Sequence, residues 1–348
     1  MYKKFISIFH NNVKASIKNS MFDINNKYMV EVTVFAALKN LLNKQKIDIN
    51  TYDMPINSPS YKDVHFDLPY PIPSNFHIWK TIFLHRRKNI LICFEPPVVN
   101  PFDYMKIFHP FFTKIYTWND DLVDNKKYFK RNSFQSSLGW KISRKEFKKK
   151  KFLILINSNK GSFFPFKILS QFGKELYSER VKAIEFFEKE IPDKFYLYGR
   201  GWNKRKKYNL TEFLFGFKKY STYKGIVEDK FELLSNFKYC ICFENMTDIN
   251  GYITEKIFDC FKAKCVPIYW GASNIEKYIP KDCYIDFRDF DYNYEKLLVF
   301  LDSIDETRYE IYIKNIEKLL SDKTFVDLWL EEGFAKFFLE DILEIKSN

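Results

Sequence analysis

Glu255 and Lys256 stand side by side after Tyr252-Ile253-Thr254, where a run from about Thr254 to Lys264 reads as a helix. The first turn of a helix offers free N–H groups and partial positive charge, a ready phosphate site. A lysine there works slightly against the helix dipole, and gains a purpose if an anion shares the site. The neighbouring carboxylate repels phosphate but can accept both hydroxyls of a ribose diol. Glu beside Lys therefore suits a nucleotide, and it equally fits a solvated first turn. Arg180, on a helical stretch around Lys174 to Lys189, could clamp a diphosphate with its guanidinium fork, or pair on the surface with Glu179 or Glu185. Glu95 follows an apolar run and precedes Pro96-Pro97. A carboxylate there, partly desolvated in a cleft, can act as general base on a hydroxyl; as a lone acid before prolines it also reads as a turn residue.

Other chemistries find less support. No C-x-x-C pair occurs among Cys93, Cys240, Cys242, Cys260, Cys265 and Cys283, and all five histidines lie at or before position 109. No metal site is expected, and the cysteines read as buried thiols. Gly199-Arg200-Gly201 follows a strand but lacks the third glycine of a dinucleotide fingerprint, and a tight turn explains it as well. No G-x-x-x-x-G-K-[ST] sequence exists. Asp289-Phe290-Asp291 matches a D-x-D, which chance supplies in a chain with this many aspartates.

The elements that must position these residues alternate between strand and helix. Asn89–Phe94, Phe152–Ile156, Phe195–Tyr198, Tyr239–Phe243 and Val266–Trp270 are short apolar runs of the kind buried on both faces of a parallel sheet. Helices are expected around residues 174–189, 229–236 and 254–264. Tyr309, Ile313, Ile316 and Leu320 share one face of a later helix. Such alternation predicts an α/β chain with doubly wound parallel sheets. At 348 residues, two domains are expected, 1–150 and 151–348, the second ending in helices. In open parallel sheets ligands bind beyond the carboxyl ends of the strands. Glu95, Ser158-Asn159, Glu244-Asn245 and Tyr252–Lys256 all fall at such places.

Lys and Arg exceed Asp and Glu by 56 to 44, a formal net charge of +12. This predicts anionic partners such as phosphates or acidic lipid surfaces. It also keeps open a nucleic-acid-binding protein, although no zinc-finger, RNP-type or helix-turn-helix signature supports one. A lysine-rich surface alone explains the charge as well. No signal peptide or membrane-spanning run is read in the sequence, so the expected location is cytoplasmic, with peripheral membrane contact open.

The stretch from Tyr223 to Pro280 contains FEN, GYITEKIFD, CVPIYWG and YIP in that order. It strongly resembles the donor-binding region of the α-1,3/4-fucosyltransferases, glycosyltransferase family 10. INSNK, ELYSERVKAIEFF and FYLYGRGW upstream, and FEPP in the first half, also resemble that family, whereas KIYTWNDDLVDNKKY is only suggestive. The resemblance implies a GT-B architecture, two Rossmann-like domains with parallel sheets facing across a cleft. It implies GDP-fucose in the C-terminal domain, an inverting reaction and no required cofactor or metal. Glu255 would hold the ribose, and Lys256 and Arg180 the diphosphate. Asn245 and Tyr252 would contact phosphate or fucose, Ser158 and Asn159 would line the same pocket, and Glu95 would be the base. The acceptor it implies is an N-acetyllactosamine-type glycan, on lipopolysaccharide or glycoprotein, modified at O3 of N-acetylglucosamine. A related enzyme using another GDP-sugar is the alternative.

Overall fold

The computed structural model describes residues 4–10, 17–26, 32–54, 62–135, 145–161, 174–204 and 218–345. Strands β1 (Lys4–His10), β2 (Ile47–Thr51), β3 (Lys62–Phe66), β4 (Asn89–Ile92), β5 (Lys114–Thr117) and β6 (Tyr128–Lys130) form one sheet, ordered β2-β1-β3-β4-β5-β6. Then come β7 (Lys151–Ile156), β8 (Lys174–Glu175), β9 (Phe195–Tyr198), β10 (Phe237–Phe243), β11 (Met246–Thr247), β12 (Val266–Trp270) and β13 (Ile285–Asp286). The second sheet is ordered β13-β12-β10-β7-β9, and β8 pairs with β11 alone, antiparallel. Every pairing within the two large sheets is parallel. Helices cover both faces of such sheets, so β4 after its first residue, Asn89, and all of β12 are apolar, and both strands are wholly buried.

Both sheets wind the same way. The second strand lies on one side of the first and the later strands on the other. The winding therefore reverses between β1 and β3, and again between β7 and β10. At each reversal the loops leaving adjacent strands diverge and open a crevice at the strand ends. Asn157 follows β7 and Glu244 follows β10, so the second crevice opens between them.

The helices are α1 (Val32–Lys44), α2 (Phe76–Leu84), α3 (Tyr177–Glu190), α4 (Lys230–Ser235), α5 (Glu255–Lys262), α6 (Tyr294–Asp302), α7 (Glu306–Ser321), α8 (Lys323–Trp329) and α9 (Glu331–Phe337). α5 ends earlier than the sequence pattern suggests, with Lys264 in the left-handed region at φ 54°. α3 begins three residues late because Lys174 and Glu175 are drawn into the pairing with Met246 and Thr247. The expected face of α7 is buried, and Asp322 caps α8 by accepting from the Thr324 and Phe325 N–H groups.

Each sheet has its own core. That of the second takes in α7 and α8 down to Trp329. Phe334, Ala335, Phe338, Leu339 and Ile342 instead join Ile6, Phe35, Phe66 and Ile92 in the first core. The last helical residues of the expected 151–348 domain thus pack on the core of the first sheet. The last helix carries its aromatic face back across to α1, where Phe35 and Phe334 meet edge to face at 5.8 Å.

Among the contacts that fasten the halves, two stand at the cleft. Val98 and Trp118 of the first pack with Tyr177, Met246, Ile249 and Tyr252 of the second. Asp120 binds Lys130 at 2.6 Å and accepts from Tyr278 Oη at 2.6 Å and Asn274 Nδ2 at 2.7 Å. Burial would raise the Asp120 carboxyl, but these partners outweigh it and hold it below its usual value.

Candidate active site

Arg180 spans the second crevice. It is buried at 3% exposure, so the surface ion pair with Glu179 or Glu185 does not form. One terminal nitrogen donates to Asn157 Oδ1 at 3.2 Å. The other donates to the carbonyls of Phe243 and Glu244 at 2.7 and 2.6 Å, and to Asn245 Oδ1 at 3.0 Å. The fork expected to clamp a diphosphate is thus committed to joining the ends of β7 and β10; among the described residues only Nε lacks an acceptor. The cation still sits at the floor of the crevice.

Glu244 is the residue that sequence reasoning set aside. Its carboxylate is fully buried and accepts from the Thr254 N–H at 2.8 Å, Thr254 Oγ1 at 2.6 Å and Lys256 Nζ at 2.9 Å. It therefore ties the end of β10 to the first turn of α5 and aims Lys256. A Glu directly before Asn245 at a strand end was its only sequence signal. Burial works against the Lys256 charge, yet Glu244 and Glu255 raise its pKa above the ordinary value. Glu255 lies 3.6 Å from Lys256. Burial would raise the Glu255 carboxyl, but Lys256 and Lys230, with hydrogen bonds from its own N–H and from Thr254, bring it down to about 2.

Glu255, Lys256 and Ser158 line one cavity of about 310 Å3, together with Gly199, Ile226 and Lys230. Asn159 lies behind its wall, donating from its N–H to the Arg200 carbonyl and from Nδ2 to the Gly201 carbonyl. Gly199 is what lets the two loops meet. Its φ is +129°, and a Cβ there would lie 2.0 Å from the Asn157 carbonyl oxygen. We predict that Gly199→Ala displaces the Asn157–Asn159 loop and weakens nucleotide binding at least tenfold, a loss of ~1.4 kcal/mol, measurable by calorimetry with GDP.

Glu95 comes from the other half. Its side chain opens partly onto the cleft, while protein surrounds the carboxyl on nearly all sides. Burial, then the charges of Asp67 and Glu255, push its pKa up to about 7, against the pull of Lys256 and Lys160. Glu255, Lys256 and Lys160 belong to the second half, so the two halves face each other at this point. Asp67 was not anticipated. It stands at the end of β3 with φ 57°, and its Oδ1 accepts from the N–H groups of Phe94 and Glu95 at 2.5 and 3.2 Å. The Glu95 carbonyl accepts from Tyr104 Oη at 2.8 Å. Asp103 touches Asp67 side chain to side chain, and burial followed by the Asp67 charge holds it well above the carboxylate range. The loop carrying Glu95 is therefore held by buried groups.

Tyr252 is buried against Trp118, ring centroids 4.6 Å apart, and its hydroxyl lies in the field of Glu244 and Glu95. Burial is the main cause of its raised pKa. Tyr177, which sequence reasoning missed, opens α3 between Arg180, Glu95 and Lys256; burial first, with Glu95, takes its hydroxyl to about 12. No group of His, Cys, Asp and Glu suited to a metal ion occurs among the described residues, and Asp289 and Asp291 pair with Lys281 and Lys296.

Residues 168–326 match the family model described as glycosyltransferase family 10 (fucosyltransferase), C-terminal. Over these residues the chain is similar to glycosyltransferase family 10. The chain is 41% identical over 64 residues to the α-(1,3)-fucosyltransferase FucT of Helicobacter pylori, 18% of this chain and 13% of that one. It is 39% identical over 75 residues to the mouse 4-galactosyl-N-acetylglucosaminide 3-α-L-fucosyltransferase 9, 21% of this chain and 20% of that one. The aligned stretches thus span a fifth or less of these two relatives. A crystal structure of an α1,3-fucosyltransferase superposes with a TM-score of 0.57 at 15% identity, over 99% of this chain and 91% of that one. The Anabaena protein HepE, solved with UDP and glucose, gives 0.57 at 8% identity over 98% of this chain and all of that one. The architecture is GT-B.

Proposed function

We propose that this protein is an inverting fucosyltransferase that moves L-fucose from GDP-fucose to a glycan hydroxyl, O3 of N-acetylglucosamine being the position. The observation that carries the reading is that the Glu95 carboxyl of one half lies in the electrostatic field of Glu255 and Lys256 of the other. A base tuned near neutrality faces a site suited to a ribose and a diphosphate.

Glu255 accepts the ribose hydroxyls, and Ser158 and Asn159 shape the pocket around the nucleotide. Lys256, aimed by Glu244, meets the diphosphate, with Arg180 as a fixed cation beneath Asn245. Asn245 and Tyr252 contact phosphate or fucose. Glu95 takes the proton from the acceptor hydroxyl as its oxygen attacks the anomeric carbon from the side opposite GDP. The new glycosidic bond forms as the bond to the diphosphate breaks. The electron pair leaves on GDP, whose growing charge Lys256, Arg180 and the α5 N-terminus stabilise. Fixed cations suffice for this without a metal ion.

Release of GDP from GDP-fucose with N-acetyllactosamine, in the presence of chelator, tests the reading. Faster release from GDP-mannose, or none with any galactose-containing acceptor, refutes it. A base with a pKa of about 7 must lose its proton to work. We therefore expect kcat/KM to climb about tenfold per pH unit below 7 and to level above it.

A further inference from the structure

The outer face of α2 is apolar where solvent should favour polar groups. Phe76 and Leu84 are exposed at 71% and 67%, and Phe83 at 46%. With Lys80 between them they follow helical spacing along one stripe, while Ile78, Trp79 and Ile82 on the opposite stripe are buried in the first domain. α2 is thus fully docked on its inner side and keeps a second apolar face. Ile72, half exposed, extends this face toward the cleft.

The charge around the face has one sign. From Tyr70 to Phe94 the chain contains Lys80, Arg86, Arg87 and Lys88 and no Asp or Glu. Asp63, which pairs with His85, is buried. Projecting aromatic and aliphatic side chains bordered by cations match the interfacial region of an anionic bilayer, which takes up the former and attracts the latter. The stripe from Phe76 to Leu84 is about 12 Å long. Its first turn adjoins the cleft, since Asn75 donates to the Tyr70 carbonyl at 2.9 Å and Tyr70 lies in the field of Glu95. No helix among the described residues is long and apolar enough to cross a membrane.

We propose that the α2 face, Ile72 to Lys88, is a peripheral docking surface for a membrane of anionic phospholipid. It brings the mouth of the cleft to the lipid surface, where a lipid-borne glycan is presented. The docking surface is independent of the sugar transferred, and its test needs no turnover.

The full chain is sedimented with phosphatidylcholine vesicles and with mixed phosphatidylcholine–phosphatidylglycerol vesicles, at low and high salt. Binding is expected to the mixed vesicles only and to weaken with salt. Each cation at such a surface contributes about fivefold to partitioning, so Arg86→Glu with Arg87→Glu should reduce it at least ~25-fold. Phe76→Ser with Leu84→Ser should reduce it about tenfold or more. Lys314→Glu with Lys318→Glu makes the same charge change on α7 and should leave it nearly intact. GDP binding and melting temperature should be unchanged in all three. No vesicle binding, equal binding to both lipids, or equal loss in the α7 variant overturns the proposal. Self-association abolished by Phe76→Ser with Leu84→Ser, without vesicle binding, also overturns it and makes the face a contact between copies.

Discussion

Glu95→Gln is expected to lower transfer by about 10^2–10^4-fold, the range of a lost general base, while GDP binds with unchanged affinity. The same variant should be more stable at pH 8. Glu95 titrates at about 7 in the fold and near 4.5 when unfolded. Between those values the folded chain binds more protons than the unfolded one, so its stability falls as pH rises through that window. Above 7 the whole penalty is present, roughly 3 kcal/mol, and a neutral glutamine removes it. At pH 4.5 and below both states are protonated and the gain vanishes. Melting curves at pH 8 and 4.5, beside turnover and GDP titrations, separate the outcomes. Turnover close to that of the unaltered protein removes Glu95 from the chemistry. Lost turnover without the pH-dependent gain leaves the base but refutes the electrostatic account of its pKa.

Lys256→Ala should damage both the fold and the site. It leaves the Glu244 carboxylate fully buried and still accepting from Thr254, but without its cation. Removing one partner of such a pair costs about 3–5 kcal/mol, because the remaining charge stays out of water. Nucleotide affinity should drop as well, since the diphosphate loses its nearest cation. The two effects part in the double variant Glu244→Gln, Lys256→Gln, where neutral amides can hydrogen-bond each other. Its denaturation midpoint should recover most of the lost stability, while GDP binding stays weak. If GDP binding recovers along with stability, Lys256 only braces α5 and the phosphate role falls.

Much of the second half was legible because its signals are local. A buried parallel strand must be a short apolar run, and a loop must follow it, so β7, β9, β10 and β12 could be read from the sequence with their polar ends. The Glu255-Lys256 pair was readable for the same reason, since a first helical turn is a contiguous feature. Glu244 was harder. A glutamate after a strand looks alike whether it faces solvent or is buried beneath a lysine twelve residues on. Arg180 left two readings open in the sequence. Acidic neighbours at helical spacing suggest an exposed ion pair, but α3 turns that face into the crevice, where the carbonyls of Phe243 and Glu244 accept its hydrogen bonds.

The sequence by itself determined the alternation of strands and helices, the apolar faces that become two cores, and the polar residues left at strand ends. These follow from periodicity and from the obligation of each short segment to bury its apolar side. Only the tertiary structure decided that Glu95 lies in the field of Lys256, that Asp67 and Asp103 hold the Glu95 loop, that Asp120 pins one half to the other, and that Phe334 to Ile342 return to the first core. Each of these joins groups distant along the chain through side-chain packing or charge in a low-dielectric space. The energy of such a contact depends on burial, and burial is not written in the neighbouring residues.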